Sequence, residues 1–144
     1  MLTEGRHRYY PSLDELAPLW NVPGISWVNL QYDDCETELN RALERHGVRI
    51  HRWADEDLRN DLESVIALLG SIDAVVVTAP TAVSFSLAAA GRAQMDSGSD
   101  WTTLGDDRSP WFPAIKLMRR APTDGSWGPM AHRLADELQA WSGR

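Results

Sequence analysis

Alternating strand and helix signals predict an α/β fold built on a parallel sheet with helices on both faces. Three observations carry that expectation. Strand–helix units repeat three times over residues 25–90, followed by a loop, a strand and a helix. The run Asp73-Ala74-Val75-Val76-Val77 is short, unbroken and β-branched, as a strand covered on both faces requires. The chain has 144 residues, 43% of them hydrophobic, which suits one domain with one core.

In order along the chain, Ser12-Leu13-Asp14-Glu15 reads as a capping box that opens a short helix to about Trp20, and Pro23-Gly24 turns the chain. Ile25 to Leu30 is a compact apolar run, expected as a buried strand. Glu36 to His46 places Leu39, Ala42 and Leu43 among charges, an amphipathic helix stopped by Gly47. Val48 to Trp53 alternates apolar and polar residues and reads as a second strand. Asn60, with Glu63 three residues on, is expected to cap a third helix with Leu62, Val65, Ile66 and Leu69 as its buried stripe.

Asp73 to Val77 is the third strand. Thr78-Ala79-Pro80-Thr81 is a tight strand-to-helix turn, and Ala82 to Ala90 a small-residue helix closed by Gly91. Gly98 to Pro113 is a long irregular segment, and such segments in small domains tend to be functional. Ile115 to Met118 is a last short strand. Trp127 to Trp141 is a terminal helix with Met130, Leu134 and Leu138 four apart.

Composition excludes several functions. Net charge is −7, so no basic face for nucleic acid stands out. Residues 33–63 carry ten acids against five arginines, which argues against polyanions there but not against one small phosphate elsewhere. No apolar run reaches the length of a membrane span, and the N-terminus lacks the apolar segment of a secretory signal, so a cytoplasmic location is expected. Cys35 is the single cysteine, and His7, His46, His51 and His132 lack ligand spacing, so neither an intramolecular disulfide nor a metal is expected.

Ligands of parallel sheets bind beyond the carboxyl ends of the strands. The candidate positions are therefore Gln31-Tyr32-Asp33, Trp53-Ala54-Asp55 and Thr78 to Thr81. A helix starting at Thr81 or Ala82 would aim free N–H groups and a positive dipole end at a phosphate, and the same residues equally fit an ordinary N-cap. No GxGxxG or GxxxxGK(S/T) phosphate loop and no GxSxG nucleophile elbow is present. Asp55, Glu56 and Asp57, like Asp106 and Asp107, fit either a carboxylate catalyst or a solvated loop. His51 reads as a surface or packing residue. Cys35 is placed near a helix start, with no visible partner to activate it.

The segments RYYPSLDELAPLW (8–20), WVNLQYDDCETEL (27–39) and GSDWTTLGDDRSPWFPAIKLMRR (98–120) resemble the C-terminal domain of bacterial tetratricopeptide-associated glycosyltransferase-like proteins. These are related to the heptosyltransferases and the O-linked N-acetylglucosamine transferases. The resemblance covers nearly the whole chain. It implies the Rossmann-like C-terminal half of a GT-B glycosyltransferase, which holds a nucleotide-diphosphate sugar. On that resemblance Thr81, Ala82 and Val83 match a (D/G)TAV-like diphosphate motif, Gln31 and Tyr32 an LQ-Y stretch after a strand, and Asp100 and Trp101 an SDW loop beside the same cleft.

Four departures accompany it. Pro80 has no N–H to donate where relatives carry Asp or Gly. Phe85 stands where heptosyltransferases often carry His. Residues 92–96 lack the G-x-P-v-w pattern, so that strand is expected to be weakened or lost. The strand that precedes the RYYPS helix in relatives, and the acceptor domain that supplies the catalytic base, lie outside this sequence. The implied chemistry is displacement of a nucleoside diphosphate from an activated sugar by an acceptor hydroxyl, with no metal and no turnover by this chain alone. An acceptor domain or partner chain, or self-association, would complete it. The alternative is a non-catalytic protein-interaction domain derived from a glycosyltransferase.

Overall fold

A computed structural model of the chain describes residues 10–53, 57–77, 92–95, 116–118, 120–121 and 123–143. They belong to two compact units, one formed by 11–64 with 126–144 and the other by 1–10 with 65–125.

In the unit of residues 11–64 and 126–144, the Ser12–Glu15 box forms as expected. The Glu15 carboxylate accepts from the Ser12 backbone N–H and hydroxyl, both at 3.0 Å, and the Glu15 N–H donates to Ser12 Oγ at 3.3 Å. Residues 13–16 are turn, and the α-helix proper (α1) is only Ala17–Trp20. Strand β1 is Trp27–Val28 and β2 is Ile50–His51, shorter than the apolar runs around them. They pair in parallel, Trp27 with Ile50 and Val28 with His51. Neither face of β1 is fully buried, which corrects the expectation of a wholly covered strand.

Helix α2, Glu36–His46, has the expected bounds. Gly47 ends it at φ +67, a left-handed conformation in which a side chain would be strained. Helix α4, Gly128–Ser142, buries Met130, Ala131, Leu134 and Leu138 along one stripe. Leu19, Val22, Cys35, Ala42 and Trp127 complete the core of this unit. Trp20 stacks edge-on to Trp27, with centroids 5.1 Å apart, and its indole N–H donates to the Leu13 carbonyl.

In the other unit, β3 (Ala74–Val77), β4 (Arg92–Met95) and β5 (Lys116–Leu117) form a parallel sheet in that order. The valines of β3 pair with Ala93, Gln94 and Met95. Residues 92–95 thus form the middle strand, and the expectation that this strand is weakened or lost is corrected. The backbone ladder on both sides holds a sequence with no apolar strand pattern of its own. Among the described residues the protein is therefore mixed α/β, with parallel pairing in both sheets.

Helix α3, Leu62–Gly70, differs from expectation at its start and on its face. Asp61, not Asn60, caps it: Oδ1 accepts the Ser64 N–H at 3.0 Å and Oδ2 the Ser64 hydroxyl at 2.8 Å. Val65 and Leu69 are buried, whereas Leu62 and Ile66 are 54% and 55% exposed. The stripe is half as wide as the sequence suggests, because one i, i+4 row covers the core contact. No helix among the described residues is long and apolar enough to cross a membrane.

Candidate functional site

Parallel pairing of β1 and β2 brings their carboxyl ends to one edge. The chain leaving β1 supplies Gln31 and Tyr32. The chain leaving β2 supplies Arg52 and Trp53, then Asp57, Leu58 and Arg59. These seven residues line one cleft of about 180 Å³. The Arg59 guanidinium lies over the Tyr32 ring, 5.6 Å from its centroid, a cation–π arrangement. Two arginines and one aspartate are among the lining residues, in a chain whose net charge is −7. Chemically, such a cleft offers flat aromatic surface from Tyr32 and Trp53 and bidentate donors for an anion.

The Asp57 carboxylate is not a free base. Oδ1 accepts the backbone N–H groups of Arg59 and Asn60 at 3.1 and 3.0 Å, and Oδ2 accepts from the Asn60 carboxamide at 2.8 Å. The Asn60 side-chain and backbone hydrogen bonds, with smaller contributions from Arg59, hold its pKa below the ordinary carboxylate value. It stays ionised and shapes the turn that presents Arg59. Of the two readings of the 55–57 carboxylates, Asp57, exposed and bonded within its own turn, fits the solvated loop.

Behind the cleft, Asn29 ends β1. Its backbone N–H donates to the His51 carbonyl at 2.8 Å, one rung beyond the assigned ladder. Its side chain then turns the chain: Oδ1 accepts the Gln31 N–H at 3.2 Å, and Nδ2 donates to Cys35 Sγ at 3.1 Å and to the Gln31 carbonyl at 3.4 Å. Cys35 sits at the N-cap of α2 and is 7% exposed. Burial pushes the thiol pKa up, opposed by the charge of Arg52 and the Asn29 hydrogen bond, so it is a packing residue and not an activated thiolate. His51 is exposed, as expected of a strand residue facing away from the core.

The structure thus brings together Gln31 and Tyr32, both singled out from the sequence, and adds Arg52, Leu58 and Arg59, which were not. Trp53 was flagged only by its position after a strand. Thr81, Ala82, Val83, Asp100 and Trp101, together with Pro80, Phe85, Asp106 and Asp107, lie outside the described residues. Among the described residues, no group of three or more His, Cys, Asp or Glu is placed to hold a metal ion.

Comparison with curated proteins finds similarity to Protein FlbA of Caulobacter vibrioides, 33% identical over 139 residues. The match takes in 96% of this chain and 23% of FlbA. The chain therefore spans under a quarter of the length of that relative. No known protein family matches the sequence, and no solved structure matches it.

Proposed function

We propose that this chain is the donor-binding domain of a glycosyltransferase-like protein, holding a nucleotide-diphosphate sugar and lacking turnover alone. The observation that carries the reading is the cleft beyond β1 and β2. Gln31 and Tyr32, the residues that the resemblance assigns to the nucleotide sugar, share it with two arginines and a tryptophan. Ligands of parallel sheets bind at that edge. An aromatic base suits Tyr32 and Trp53, and a diphosphate suits Arg52 and Arg59. The resemblance also assigns Thr81, Ala82 and Val83, with Asp100 and Trp101, to nucleotide-sugar binding.

In the proposed reaction an acceptor hydroxyl displaces the nucleoside diphosphate from the sugar. Preorganised donors stabilise the charge that develops on the leaving group, and no metal is required. The catalytic base and the acceptor come from another domain or chain. A cytoplasmic location follows from the same reading, since activated sugars of this kind are made there.

Titration with uridine, guanosine and adenosine diphosphates, by calorimetry or ligand-detected NMR, tests this. Binding by one of them that weakens on Tyr32→Ala and on Thr81→Pro supports it; no binding by any at millimolar concentration overturns it. That negative result would favour the second reading, a non-catalytic interaction domain. Its supporting observation is α3, where Leu62 and Ile66 lie one turn apart and more than half exposed.

A further inference from the structure

We propose that Asn29 is the positioning residue of this cleft: its carboxamide holds Gln31 and Tyr32 in place by tying the Gln31 backbone to the buried thiol of Cys35. The inference rests on the donor-binding reading. Every hydrogen bond that Gln31 makes among the described residues is to the Asn29 carboxamide: the Gln31 N–H donates to Asn29 Oδ1, and the Gln31 carbonyl accepts from Asn29 Nδ2. Gln31 and Tyr32 are exposed, Tyr32 by 62%, so burial does not fix them. The carboxamide must present one acceptor, to the Gln31 N–H, and two donors, to the Gln31 carbonyl and the sulfur. An ionised carboxylate of the same shape supplies the acceptor and neither donor. The far end of the tie does not drift, because Cys35 is buried in the core at the start of α2. The near end is fixed by the Asn29 N–H on His51, which also sets β1 against the strand that delivers Arg52 and Trp53. Asn29 itself is not among the residues that line the cleft. It lowers the ordering that a ligand would otherwise have to impose on the two residues it meets first.

The test uses the whole chain, the three nucleoside diphosphates named above, and the variants Asn29→Asp, Asn29→Ala and Cys35→Ser. Asn29→Asp and Asn29→Ala should each weaken binding about tenfold. Amide hydrogen exchange should show protection lost at Gln31 in Asn29→Ala, and retained along α2 in both variants. Cys35→Ser keeps an acceptor for the Asn29 amide and should bind within about twofold of the unaltered chain. Unchanged binding by Asn29→Asp, or a loss of binding matched by lost protection along the whole of α2, overturns the positioning role alone. Absence of nucleotide binding by the unaltered chain removes the donor-binding reading, and this inference with it.

Discussion

Glu15 Oε1 accepts the backbone N–H of Trp127 at 3.3 Å, joining residues 112 positions apart. The other oxygen of the same carboxylate closes the Ser12 box. One side chain therefore caps the turn before α1 and satisfies the N-cap amide of α4, the helix that carries Met130, Leu134 and Leu138 into the core. The negative charge also sits at the positive end of α4. Glu15→Ala should cost about 1–2 kcal/mol, lowering the melting temperature by roughly 3–8 °C in far-ultraviolet circular dichroism. Ser12→Ala, which leaves the Trp127 contact in place, should cost less.

Asp14, next in the same turn, meets Arg41, Arg45 and His46 of α2, each at 2.9 Å. The His46 hydrogen bond lowers its pKa most; partial desolvation opposes this, and the charges of Arg41 and Arg45 lower it further. A depressed carboxyl pKa contributes stability above its ordinary value of 3.8, and that contribution is lost as pH falls through the depressed native value. Asp14→Asn should thus lower the urea midpoint at neutral pH and converge with the unaltered chain only in acid, once pH has fallen below that depressed value. Parallel curves across the whole pH range would show that the cluster contributes no titratable stability.

Helix α3 offers an internal comparison of two positions on one element. Leu69 is 3% exposed and Ile66 55% exposed. Leu69→Ala should destabilise by about 2–5 kcal/mol through lost burial and the cavity left behind, whereas Ile66→Ala should change stability by less than about 0.5 kcal/mol. Equal losses in chemical denaturation would mean that Ile66 is covered in solution.

The same helix shows what the sequence could and could not convey. Periodicity in LESVIALLG marks a helix and its apolar side, but it counts Leu62 and Ile66 as equal to Val65 and Leu69. Which row meets the core depends on what lies opposite, and that is not local information. Gly47 was legible because a left-handed C-cap is a local backbone requirement. Strand β4 was not, since RAQM has no strand pattern and its pairing with β3 and β5 is held by backbone groups that every residue carries. Gln31 and Tyr32 were legible as residues following a strand. Arg52 and Arg59 were hidden by averaging: they belong to a stretch of ten acids and five arginines, and only the turn fixed by Asp57 gathers these two at one cleft.

If the cleft holds a nucleoside diphosphate, its arginines should read the phosphates and its rings the base. Arg52→Ala and Arg59→Ala should then each weaken diphosphate binding about three- to tenfold, while leaving the far weaker binding of the bare nucleoside unchanged. Arg59→Lys should restore only part of the loss, because an ammonium lacks the planar fork of donors that the guanidinium carries. Tyr32→Leu should weaken nucleoside and diphosphate alike, since it removes the stacking surface common to both. Both arginines are exposed, so the diphosphate affinity of the unaltered chain should fall as salt rises from about 0.05 to about 0.5 M, and that of the Arg52→Ala, Arg59→Ala double variant should fall much less. Salt dependence that survives loss of both arginines would place the phosphates elsewhere, away from the ends of β1 and β2.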